Sequence, residues 1–141
     1  MNERKREYFD RQVEWVLSRL PQGVLHILES VPLHVEDRPS KSLMRKVQIK
    51  DATKICSYLC GAPCGKTSKH FGTHVYLPKG ICEPNSVTIF RRGIVAASRD
   101  EEGQVRRDSI RQQIRTSILC ALARLLGMGE KEIADIRCGF T

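Results

Sequence analysis

The strongest constraint on this chain is a helical pattern near its C-terminal end. Ile110, Ile114, Ile118, Leu122 and Leu125 recur at three- or four-residue intervals. That spacing lines one side of an α-helix and calls for a core to cover it. The pattern predicts a helix over 104–126. Gly127 then stands where a left-handed C-terminal cap is expected.

Elements that could cover such a helix are legible upstream. Residues 4–19 have helical periodicity, with Tyr8, Phe9, Val13, Trp15 and Val16 apolar and Leu20 just beyond. Pro21 suits the first turn of a second, short helix running to about residue 29, with Val24, Leu25, Ile27 and Leu28. Val31 to Asp37 alternates apolar and polar residues and reads as a strand. Pro32 removes a backbone donor there, so this is either an edge strand or a strand with Pro32 among its first residues. Ser86 to Phe90 is rich in β-branched residues and reads as a strand ended by Arg91-Arg92-Gly93.

The segment 41–84 is harder to read. Val47 to Ile49 and His74 to Leu77 suggest short strands, Cys60 to Lys66 has loop chemistry, and Pro84-Asn85-Ser86 reads as a turn. A last short helix is expected over 130–137, carrying Ile133 and Ile136. Together these elements predict one α+β domain over 1–141, a small mixed sheet packed against helices.

Composition narrows the function. The chain has 141 residues, 40% hydrophobic and 28% charged, which excludes a wholly disordered chain. No apolar run approaches the ~18 residues of a membrane span. Met1 to Arg6 is charged and leads into an amphipathic stretch rather than an apolar signal region, so a cytoplasmic protein without membrane contact is expected. The net charge of +8 allows nucleic-acid contact. Arg106, Arg107, Arg111 and Arg115 form the one dense basic set, readable as a solvated helix face or as a nucleic-acid surface. Three Tyr, four Phe and one Trp leave little for base stacking.

Six cysteines in such a chain point to reduced thiols or metal ligation rather than disulfides. Cys56, Cys60 and Cys64 are spaced four apart, with His70, His74 and Cys82 following. This is enough donor chemistry for a structural zinc, without the usual paired knuckles. Cys120 could be paired on paper with His34 or His74 as a nucleophile, with no local support. Gly61 to Thr67 echoes a phosphate loop, but it is one residue short between its glycines and contains Pro63, which excludes it.

The segment from Ser117 to Glu130, SILCALARLLGMGE, resembles the zinc-binding helix of zincin metallopeptidases, H-E-x-x-H-x-x-G-x-x-D. Phe9 to Pro21, Val31 to Asp37 and the strand Ser86 to Arg92 are similar, in order and separation, to the small bacterial family of zincin-like, minimal matrix-metalloprotease-like domains. The resemblance implies a zincin-like α+β fold containing that long helix. In an intact site the two histidines bind zinc from one helix face, and the glutamate polarises the metal-bound water.

At the corresponding positions this sequence has Cys120 and Arg124 for the histidines and Ala121 for the glutamate; Gly127 and an acidic residue, Glu130, remain. A thiolate can ligate zinc, alanine cannot accept a proton, and a permanently charged guanidinium opposes a dication. The resemblance therefore implies a degenerate site with no cofactor expected, on a binding or regulatory domain for a protein or peptide partner. Other readings stand beside it. Cys120 reads as a small buried residue rather than a ligand. Arg124 reads as a solvated arginine or as a replacement for the metal, paired with Glu130; Glu130 alone suits the start of a helix. The rivals are a metallopeptidase rebuilt from Cys120, Glu130 and a ligand from 56–82, and a nucleic-acid-binding module.

Overall fold

A computed structural model describes residues 1–63, 69–71, 75–77 and 81–125, with side chains described for 1–60 and 86–123. Helix α1 covers Glu3–Leu17. Asn2 caps it by accepting a hydrogen bond from the Lys5 amide at 2.9 Å. Phe9, Val13 and Val16 form its buried face. Helix α2 covers Gln22–Ser30, with Pro21 as N-cap, where its missing N–H costs nothing. Strand β1, Leu33–Glu36, alternates half-buried and exposed residues, starts just after Pro32 and lies at a sheet edge. The Pro32 carbonyl still accepts from the Val87 amide at 3.0 Å.

Val47 to Ile49 is not a strand. It is the C-terminal turn of α3, Lys41–Lys46, which Ser40 caps through the Leu43 amide at 3.1 Å. The amides of Gln48 and Ile49 return to the Arg45 and Met44 carbonyls, and Gln48 takes a left-handed φ of 59°. This is the paired hydrogen-bond closure that usually recruits glycine; glutamine in its place hid the turn. A 3-10 turn, Ala52–Lys54, follows.

Residues expected to be loop, Cys60 to Pro63, instead belong to strand β2, Ser57–Pro63. Gly61 to Pro63 thus forms part of a strand, while Cys64 to Lys66 lies outside the described residues. Strands β3, Lys69–Phe71, and β4, Val75–Leu77, lie beyond it. His74, expected in that strand, is outside the described residues. Strand β5 runs over Ile81–Phe90 and absorbs the expected turn at Pro84 to Ser86. Cys60 pairs with Ser86 and Gly61 with Pro84, so Asn85 is the extra residue of a bulge. The sheet order is β1-β5-β2-β4-β3. It is mixed: β1 is parallel to β5 and β4 to β2, whereas β5–β2 and β3–β4 are antiparallel.

Helix α4, Arg91–Ala97, begins directly after β5, where only a strand end was expected. Helix α5, Arg107–Leu125, buries Ile110, Ile114, Ile118 and Leu122, the predicted face. The expected cap at Gly127 and helix at 130–137 lie outside the described residues. Leu59, Val87 and Ile89 share one sheet face and enter a core with α1 and α5. Tyr58, Phe90 and Ile55 form a second cluster, covered by Leu43, Val47 and Ile49. The result is an α+β architecture with a helix layer on one face of a small mixed sheet.

Two contacts join α4 to this frame. A Cβ at Gly93 would lie 1.9 Å from the Ile55 carbonyl oxygen. Arg91 is only 12% exposed and reaches two elements. Its Nε and Nη2 donate to Asp10 on α1, each at 3.0 Å, and its Nη1 donates to Asp37 at 2.8 Å. Asp37 also accepts from Arg6 Nε at 2.8 Å. The hydrogen bond from Arg6, then that from Arg91 and the charges of both, hold the Asp37 carboxyl below its ordinary value of 3.8, against the opposing effect of burial.

Gly93→Ala should therefore destabilise the fold by about 3 kcal/mol or more in urea denaturation, because the obstructing atom is backbone. For Asp37, whose folded-state pKa is depressed, the stabilising contribution is fully present above pH 3.8 and is lost as pH falls through the lower folded value. Asp37→Asn should lower stability at neutral pH and flatten the acid limb of the stability curve below about pH 4, read by thermal melts across pH.

Candidate functional site

Three of the motif positions, Cys120, Ala121 and Arg124, lie on the C-terminal half of α5. That half is packed on several sides: Thr116, Ser117, Ile118, Cys120, Ala121, Leu122 and Ala123 are all buried. Only Leu119 in this run is partly exposed. A helix buried around its circumference is a central element rather than the wall of an open cleft. Cys120 is 3% exposed and Ala121 is 0% exposed, and both belong to the main apolar core. Arg124 falls one helical turn after Cys120, on the same face. Its side chain, with Gly127 and Glu130, lies outside the described residues, and so does any Arg124–Glu130 contact. Among the described residues, no three His, Cys, Asp or Glu side chains converge as a metal-binding group.

The second cysteine set is dispersed where it can be followed. Cys56 is buried at the entry to β2, with Gln113 Nε2 of α5 at 3.9 Å from its sulfur. Cys60, four residues on, is exposed. The strand path thus separates two thiols that a helix would have placed on one face. His70 is on β3, at the sheet edge opposite β1, and Cys82 is on β5. Cys64 and His74 are outside the described residues. His34 is exposed on β1, on the side opposite Leu33 and Val35, which pack on the core containing Cys120. The structure therefore does not bring His34 and Cys120 together.

The arginine face is partly committed within the molecule. The guanidinium carbons of Arg19 and Arg111 stand 3.9 and 3.8 Å from the Trp15 ring centroid. Two such groups cannot share one face at that distance, so the indole is sandwiched between them. Arg111 Nε also donates to the buried Gln12 at 2.7 Å. Arg106 and Arg107 are exposed, and Arg115 is half-buried beside a groove of about 240 Å³. Sequence reasoning missed this sandwich. Trp15 and Arg19, one helical turn apart, carried half of the signal; Gln12 and Arg111 are too distant in sequence to suggest each other. The Arg91–Asp10–Asp37 tie was invisible for the same reason.

A helix–sheet frame of this topology, with a long central helix carrying the motif positions, is the class the resemblance implied. The model of the zincin-like metallopeptidase family matches residues 28–140, from the end of α2 to beyond α5. The chain belongs to the zincin-like metallopeptidase family. No curated protein matches it at a significant level. Among the described residues, no helix is long and apolar enough to cross a membrane.

The burial of α5 has a measurable consequence. Ala121→Glu places a carboxylate at a fully buried core position, where an unpaired charge is strongly disfavoured. The substitution should cost about 3 kcal/mol or more in urea denaturation. An unchanged midpoint would mean that this helix face opens on solvent.

Proposed function

We propose that this member of the zincin-like metallopeptidase family is a non-catalytic domain, a pseudo-peptidase that works in the cytoplasm by binding or regulating a protein or peptide partner. One observation carries the reading: the two described residues at the motif's first positions, Cys120 and Ala121, are buried in the apolar core. The residue types do not fit a catalytic zinc. Cys120 offers a single sulfur donor, Ala121 offers neither ligand nor base, and Arg124 brings a permanent positive charge. A peptidase rebuilt from Cys120, Glu130 and a ligand from 56–82 would still lack a proton acceptor at Ala121. A nucleic-acid role is weakened by the commitment of Arg111 to Trp15 and Gln12, and by an indole whose two faces are already occupied.

In this reading Arg124 takes the place of the metal, and its guanidinium pairs with the carboxylate of Glu130. A bidentate arginine–carboxylate pair would hold the turn at Gly127 without a cation.

Purified protein should contain zinc far below one equivalent, and any peptide hydrolysis should be insensitive to a chelator. Stoichiometric zinc with chelator-sensitive hydrolysis would replace this reading with the rebuilt peptidase. Arg124→Ala should destabilise the domain by about 3–5 kcal/mol if the pair is buried and by no more than about 1 kcal/mol if it is exposed. A neutral substitution, with Arg124 in solvent in an experimental structure, would make it an ordinary surface arginine.

A further inference from the structure

A second surface lies away from the motif half of α5. Lys5, Tyr8 and Phe9 share one face of α1 at the spacing of neighbours on a helix. Arg92, Val95, Ala96 and Arg99 repeat that spacing along α4 and the two residues after it. These faces form the walls of an open groove of about 640 Å³, with Val105 and Ile110 completing its floor. Its volume is within the range of about 300–1,000 Å³ typical of ligand sites. Tyr8, at 38%, is the one large hydrophobic side chain classed as exposed among the described residues.

The charges on this groove differ from those beside it. Arg6 and Arg91 are paired with Asp37 and Asp10. Lys5, Arg92 and Arg99 are exposed, and none has a carboxylate within 4 Å among the described residues. No Asp or Glu lines the groove. Arg99 is oriented by donating to the Gly103 carbonyl at 3.0 Å, which leaves its charge unneutralised. An apolar floor with an unneutralised cationic rim is complementary to an apolar ligand with acidic ends.

We propose that this groove binds an extended peptide segment in which two acidic residues flank two apolar ones. The reach of the rim supports a peptide. Arg92 lies in the first turn of α4 and Arg99 two residues beyond its last, so the two rim cations stand at opposite ends of this wall. A polyproline-II peptide presents residues three apart on one side, about 9 Å from each other. An extended segment can direct carboxylates to both ends of the α4 wall, while the side chains between them cover Tyr8, Val95 and Ala96. A compact anion would reach one cation and leave the apolar floor wet. This site is independent of the zinc-site reading, because no motif residue lines it.

The test is fluorescence anisotropy with a labelled, capped Glu-Leu-Leu-Glu peptide and its Lys-Leu-Leu-Lys counterpart. The acidic peptide should bind and the basic one should not. The double variant Lys5→Glu, Arg92→Glu should weaken binding about tenfold or more. Both residues lie in the first turn of a helix, where glutamate is favourable, so the fold should persist, checked by circular dichroism. The double variant Arg45→Glu, Lys46→Glu on α3 makes the same change in net charge outside the groove and should leave affinity within about twofold. Tyr8→Ala should weaken binding while keeping its salt dependence. Equal loss in the α3 variant would mean unspecific attraction to a basic protein. Equal binding of the basic peptide, absence of binding, or displacement by ATP as effective as by unlabelled peptide would overturn the proposal.

Discussion

The packing of α5 against the central strand pair is the interaction on which the other elements depend. Leu59, Val87 and Ile89 present one apolar sheet face, and Ile110, Ile114, Ile118 and Leu122 present the matching helix stripe. Phe9, Val13 and Val16 of α1 close the same core from another side. Each fully buried side chain of this size contributes roughly 1.5–3 kcal/mol through removal from water. Neither the sheet nor the helices could bury these surfaces alone. The two central strands are therefore held by what covers them as much as by their own hydrogen bonds.

Once that core is set, α4 has little freedom. It leaves β5 without a loop and must pass the segment entering β2 so closely that residue 93 can carry no side chain. Arg91 then fixes its first turn to α1 and to the residue after β1. Such a tie between half-buried charges contributes more to the relative placement of elements than to net stability, since desolvation offsets much of the attraction. The groove between α1 and α4 follows from that placement. The cations used for the tie are paired, and those left on the rim are not.

In the proposed reading, family membership and chemistry separate at the motif half of α5. The frame persists because the apolar stripe maintains it, and that stripe does not include the ligand positions. At those positions the requirements of a metal site compete with the requirements of a core. Cys120 and Ala121 satisfy the core: both are small, and neither demands a buried partner for a charge. The family match over residues 28–140 identifies the scaffold, while donor chemistry on the helix is what an activity would require.

The sequence by itself determined the elements whose signals are local. The spacing of Ile110 to Leu122 specified α5 and its buried face, the apolar positions from Phe9 to Val16 specified α1, and the alternation after Pro32 specified β1. That Cys120 and Ala121 fall on the long helix was also legible, by counting along it. Tertiary structure decided what depends on distant partners. Pro84 and Asn85 read as a turn until pairing with β2 makes them a bulge. Gln48 hides a helix end that glycine would have announced. Cys56 and Cys60 look like one cluster until a strand path buries one and exposes the other. Gly93 reads as a strand end until the Ile55 carbonyl is beside it. Periodicity records which side of an element is apolar, but the chain carries no local mark of which distant backbone or charge will meet it.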